Sequence, residues 1–155
     1  MTMKRNPRRN PLLRFLFLVY CGIMLWLLFF RSQGWNDGLT YQQMLQGNIN
    51  LIPLYTIKNY LYVIIHRSND DVLVHCIINL AGNVLLFIPL GYLLPKIFAK
   101  QENFFRFLFT CALSILLVEL VQLFTLLGSF DVDDLILNLG GMLLGFIYYH
   151  LTKRK

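Results

Sequence analysis

The chain has 155 residues; 57% are apolar, 15% aromatic and 14% charged, with a formal net charge of +6 and a mean hydropathy of +0.57. A soluble domain carries about 25% charged residues, so this composition excludes a disordered tail, a secreted disulfide scaffold and an ordinary cytosolic enzyme, and fits a small integral membrane protein. The basic excess raises the question of nucleic acid as a partner. No interleaving of aromatic and basic residues of the RNA-binding kind is present, so none is expected.

In chain order, residues 1–11 form a basic leader with Lys4, Arg5, Arg8 and Arg9. A bilayer core about 30 Å thick needs about 20 mostly apolar residues per helix. Residues 12–30 supply the first such stretch, with Arg14 near enough to its end to snorkel. No small-x-small cleavage site follows it, so it is expected to be an uncleaved signal anchor. The next loop, 31–71, is long, with Gly34, Gly38 and Gly47 in its first part and Asn50-Leu-Ile-Pro53 after them. Within 54–66, Leu54, Ile57, Leu61, Ile64 and Ile65 recur at helical spacing, with Lys58, Asn59 and Tyr62 on other sides. This predicts a short amphipathic helix in the outer interface; a loop merely packed on the bundle is the alternative. Tyr41, Tyr55, Tyr60 and Tyr62 suit an interfacial position either way.

Residues 72–94 form the second span, and Pro95 is expected to stop it. Residues 107–127 form the third, with Glu119 as its only charge, and a short outer loop leads to the fourth, 135–151, and a basic tail, 152–155. The expected fold is an all-α membrane protein, a four-helix transmembrane bundle in which 12–151 form one membrane domain. Cys21, Cys76 and Cys111 fall one in each of the first three spans. They are odd in number and lack metal-ligand spacing, so they read as packing residues.

Eleven of the 14 Lys and Arg then lie on one side: Lys4, Arg5, Arg8, Arg9 and Arg14; Lys96, Lys100 and Arg106; and Lys153, Arg154 and Lys155. Only Arg31, Lys58 and Arg67 fall on the other. The positive-inside rule places both termini in the cytoplasm. Six of the eight acids, Asp37, Asp70, Asp71, Asp131, Asp133 and Asp134, fall at or beyond the outer surface. The charge of +6 is thus topology and contact with anionic lipid.

Polar residues inside the spans are costly, about 2.5–3.5 kcal/mol for a carboxylate at a helix centre on insertion scales. Glu119 has Gln122 three residues on along the same face. His75, Asn79 and Asn83 form a stripe at spacing four in span two, with Gly82 beside it, and Asn138 follows Asp134 by four in span four. Glu119 and Asn79 both fall about 10–12 Å inside the outer ends of their spans at 1.5 Å per residue. The expectation is one outward-facing polar pocket built by spans two, three and four beneath an acidic rim. Its ligand-binding candidates are His75, Asn79, Asn83, Glu119, Gln122, Asp131, Asp133, Asp134 and Asn138.

Plainer readings compete with this one. Asn79, Asn83 and Asn138 serve equally well as interhelical hydrogen-bond glue. Asp131 or Asp133 caps span four if its carboxylate meets the free N–H groups there, though three acids in four positions exceed what capping needs. Asp-x-Asp-Asp alone lacks the specificity of a divalent-cation site. No metal or cofactor is therefore expected, and neither Ser114 nor Ser129 has the context of a nucleophile. Gly82, Gly141 and Gly145 are helix-packing candidates, the last two as G-x-x-x-G, which also offers a contact for a homo-oligomer. Residues 79–87 and 138–146 are similar and enter the membrane in the same direction, as in a parallel repeat, although chance likeness between apolar segments explains them as well.

Four features together resemble the VanZ-like family. They are Asn50-Leu-Ile-Pro53, the run from Asn79-Leu-x-Gly-Asn83 to Pro89-Leu-Gly91, the Glu119-x-x-Gln122 pair, and Gly128-Ser-Phe-Asp-Val-Asp-Asp134 leading to Asn138. They occur in family order over most of the chain, leaving out the leader and span one. The resemblance implies a small multi-pass protein of the cytoplasmic membrane, usually of Gram-positive bacteria, with a role in lowering susceptibility to teicoplanin-type lipoglycopeptides. It brings no reaction with it.

Three functions follow. The first is a binding or transport module whose pocket takes an envelope lipid, a lipid-linked cell-wall precursor or the lipid tail of the antibiotic. The second is a membrane-embedded enzyme using Glu119 and the aspartates as acid–base or metal groups. The third is a ligand-free assembly partner, for which Gly141 and Gly145 matter more than Glu119.

Overall fold

The computed structural model describes residues 10–30, 38–66 and 70–153. The leader basics, Arg31, Gly34, Asp37, Arg67, Arg154 and Lys155 lie outside the described residues. The elements are α1 (Pro11–Phe30), α2 (Tyr41–Gly47), β1 (Ile49–Asn50), α3 (Tyr55–His66), α4 (Asp70–Ile97), a 3₁₀ turn (Ala99–Glu102), α5 (Phe104–Thr125), β2 (Phe130–Asp131) and α6 (Val132–Lys153). Among them α1, α4, α5 and α6 are long and apolar enough to cross a membrane. Leu12, Phe15, Leu18, Trp26, Leu85, Phe105, Phe109, Leu117, Phe124 and Ile147 are exposed along these four helices. So much apolar surface is untenable in water and is suited to lipid. The protein is an all-α multi-pass membrane protein.

The four long helices alternate in direction. At one end the rings of Phe17 and Phe98 meet with centroids 6.2 Å apart, the Tyr149 hydroxyl donates to Glu102 at 2.6 Å and Lys153 pairs with Glu102 at 2.8 Å. Arg14, Lys96, Lys100, Arg106 and Lys153 belong to this basic end. At the opposite, acidic end the Gln122 amide donates to the Leu28 carbonyl at 2.8 Å and Tyr41 donates to the Phe124 carbonyl at 2.8 Å. The apolar core runs between, with Phe107, Cys111, Ile115, Met142 and Phe146 buried together with Met24, Phe87 and Leu90. The three cysteines are free.

Helices α4 and α6 run parallel and touch backbone to backbone. A Cβ placed on Gly141 would sit 2.2 Å from the Val84 carbonyl oxygen, one on Gly145 2.0 Å from that of Ile88, and one on Gly91 2.0 Å from that of Met142. Small residues permit this approach, which replaces side-chain packing with close van der Waals and Cα–H···O contact. The expected pair Gly141 and Gly145 is thus joined by Gly91 from the facing helix, and Gly82 instead lines a cavity.

The long helices depart from the expected spans by at most three residues at an end, and two of these ends have a visible cause. Helix α4 continues through Pro89 and Pro95 to Ile97, so Pro95 is no stop. Each proline withholds one N–H, but the ladder resumes with Phe98 donating to Leu94 at 2.9 Å, and the Tyr20 hydroxyl donates to the Leu86 carbonyl near the gap left by Pro89. Helix α5 ends at Thr125, before the expected Leu127, because Leu126 turns into the left-handed region (φ 56°) and Leu127 donates back to Gln122 at 3.1 Å.

Within residues 38–66, between α1 and α4, local polar side chains start the first short helix. Thr40 and Gln43 form a capping box that starts α2. Thr40→Ala is expected to lower local stability by about 1 kcal/mol, read as faster amide exchange at Gln43 and Met44 with exchange in α6 unchanged. Helix α3 forms where the amphipathic pattern predicts one. Ile57, Tyr60, Val63 and Ile64 are half-buried, whereas Leu61, Tyr62 and Ile65 are exposed, so Leu61 and Ile65 do not share the inward face.

Candidate functional site

The acidic end is built on a two-residue parallel ladder, in which Ile49 pairs with Phe130 and Asn50 with Asp131. This ladder ties the loop before α3 to the loop before α6. It places Asp131 at the N-terminus of α6, where its carboxylate accepts the Asp133 N–H at 2.8 Å. Asp131 is therefore the cap of α6. It also accepts from the Thr56 hydroxyl at 2.6 Å and the Asn50 amide at 3.1 Å.

Asp133 caps a different helix. It is wholly buried, and its carboxylate accepts the Leu54 N–H at 2.5 Å and the Ile57 N–H at 3.0 Å, the free donors at the start of α3. Leu54 meets it with φ 65°, a left-handed conformation that turns the chain from Asn50-Leu-Ile-Pro53 into the helix. The expected acidic rim is thus not a solvent-facing surface. Asp131 and Asp133 are turned inward, because free N–H groups of two helix starts converge on them.

Beneath these caps lies a cavity of about 520 Å³. Leu27 and Leu28 of α1 and Ile78 and Leu86 of α4 form its apolar wall. Glu119, Asp131, Asp134 and Asn138 supply polar lining, together with Asn83 and Gln122, and His75 and Asn79 line it farther along α4. Glu119 is buried and accepts the Asp131 N–H at 3.3 Å. Asn83 donates to Asp134 at 2.5 Å, and Asn79 donates to the His75 carbonyl at 2.9 Å. Asn138 is 3% exposed, and its side-chain oxygen meets no donor.

Eight of the nine residues singled out from the sequence therefore line one cavity, and Asp133 is the exception. The walls come from five helices rather than three, since α1 and α3 also contribute. Thr56, Tyr60, Gly128 and Ser129 line it unannounced by the sequence. Thr56 had one legible signal, its place six residues after Asn50 at the head of an amphipathic helix; Tyr60 read only as an interfacial aromatic. Gly128 packs on the Gln122 side chain, with a Cβ there 3.1 Å from that of Gln122. No group of three or more His, Cys, Asp or Glu among the described residues has an arrangement able to hold a metal ion.

The chain is 29% identical over 141 residues to Protein VanZ of Enterococcus faecium, covering 91% of this chain and 75% of that protein. No solved structure matches. The family model VanZ/LLP1 matches residues 17–153, which include every residue that lines the cavity, and the chain accordingly belongs to the VanZ/LLP1 family.

Proposed function

We propose that this protein binds an envelope lipid, or another lipid-linked ligand, in the cavity at its acidic end, and that it thereby lowers susceptibility to teicoplanin-type lipoglycopeptides. The observation that carries the reading is the cavity's mixed apolar and polar lining. Leu27, Leu28, Ile78 and Leu86 contribute apolar surface, and Glu119, Asp131, Asp134 and Asn138 contribute polar groups. Such a lining suits a molecule with a hydrocarbon part and a polar head. By the positive-inside rule the basic end is cytoplasmic, so the cavity opens toward the outer leaflet, where lipid-linked precursors and the drug's acyl tail both reside. Kinship with Protein VanZ supports the antibiotic side of the proposal.

The test is expression in a susceptible Gram-positive host. The wild-type chain is expected to raise the teicoplanin concentration needed to stop growth. Asn138→Leu is expected to remove most of that protection at equal membrane abundance, since losing a buried hydrogen-bond partner costs about 1–3 kcal/mol, or roughly 5- to 150-fold in affinity. Unchanged susceptibility on wild-type expression would defeat the resistance reading, while lipid binding is tested separately below.

A further inference from the structure

The cavity's hydrogen-bonding inventory is lopsided. Asn138 is buried and lines the cavity with a side-chain oxygen that no donor reaches. Beside it stand the carboxylates of Glu119, Asp131 and Asp134. The Asp131 N–H donates to Glu119, Asn50 and Thr56 donate to Asp131, and Asn83 donates to Asp134. Of the other side-chain amides of the wall, Gln122 donates to the Leu28 carbonyl and Asn79 to the His75 carbonyl. Neither Lys nor Arg lines the cavity among the described residues. A phosphate head would bring further negative charge and no donor. An ammonium brings three donors, no acceptor and the opposite charge.

We propose that the cavity selects the protonated primary amine of an amphiphile. The ammonium sits against Asn138, Glu119 and Asp134, and the hydrocarbon lies along Leu27 and Leu28 of α1 and Ile78 and Leu86 of α4. This rests on the lipid-binding reading above and names its head group.

The experiment uses the full chain in phosphatidylcholine nanodiscs and three photoreactive twelve-carbon probes that differ only in the head: amine, phosphate and glucoside. Labelled positions are mapped by mass spectrometry. The amine probe is expected to label α1 and α4 at the apolar wall, saturably and about tenfold or more above the phosphate probe, the difference made by one charge-assisted hydrogen bond. Unlabelled dodecylamine competes, and propylamine at equal concentration does not. Asn138→Leu lowers amine labelling about tenfold, whereas Asn138→Asp, which keeps the acceptor, retains it. The head-group comparison on the wild type needs no variant to fold. Equal or stronger labelling by phosphate or glucoside overturns the amine assignment and leaves lipid binding standing. Competition by propylamine overturns the amphiphile. Labelling of the cavity by no probe overturns lipid binding as well.

Discussion

Asp133→Ala is expected to destabilise the protein by about 3–5 kcal/mol and to free the chain around Asn50-Leu-Ile-Pro53. The carboxylate is wholly buried and holds two backbone donors, at Leu54 and Ile57. Hydrogen bonds to a charged group are worth about 1.5–3 kcal/mol each, and removing the acceptor leaves both donors unsatisfied. The start of α3 also loses the negative charge that favours its N-terminus. Asp133→Asn keeps one acceptor oxygen and should cost about half as much. Thermal unfolding in detergent reads the stability, and limited proteolysis reads the loop, with new cleavage expected at 51–55 in the alanine variant. Wild-type unfolding and wild-type cleavage in Asp133→Ala would show that the latch holds nothing. Because Thr56 and Tyr60 of α3 line the cavity, releasing this helix is also expected to impair the cavity.

The second large effect is at the seam of α4 and α6. Gly145→Leu must separate two backbones, because even the first side-chain carbon would lie 2.0 Å from the Ile88 oxygen and 2.7 Å from the Tyr92 nitrogen. Overpacking a tight contact costs about 1–3 kcal/mol for modest additions, so Gly145→Ala and Gly91→Ala belong in that range and the leucine above it. Gly140→Ala is the control: a Cβ there meets nothing within 4 Å, and its effect should stay within about 0.5 kcal/mol. Unfolding midpoints and the yield of monodisperse protein report the difference. Equal midpoints for Gly145→Leu and Gly140→Ala would refute the close seam. The seam matters to the site because Asn83 lies on one of its helices and Asn138 on the other.

Much of this was readable from residue order. Apolar runs of the right length mark the four long helices, because lipid demands a continuous apolar surface and a helix satisfies its own backbone. The stripe of His75, Asn79 and Asn83 and the Glu119-x-x-Gln122 pair stood out because polar groups are expensive in such runs. Gly141 and Gly145 were legible as a packing motif through their spacing of four, but Gly91 was not, since no second glycine stands four residues from it.

The division between sequence and tertiary structure is sharpest among the aspartates. By itself, the order of residues determined that the protein is a membrane bundle with most of its acids toward one end, since hydropathy and charge are local and additive along the chain. It also determined which polar residues had to be explained. What each carboxylate does was decided only by the fold. Asp131 caps its own helix, Asp133 caps α3, and Asp134 faces the cavity with Asn83. Three neighbouring acids of one chemistry thus have three roles, because a hydrogen bond depends on which donor the packing brings within about 3 Å. That donor comes from a segment roughly 75 residues earlier for Asp133 and roughly 50 earlier for Asp134, distances over which no local pattern carries information.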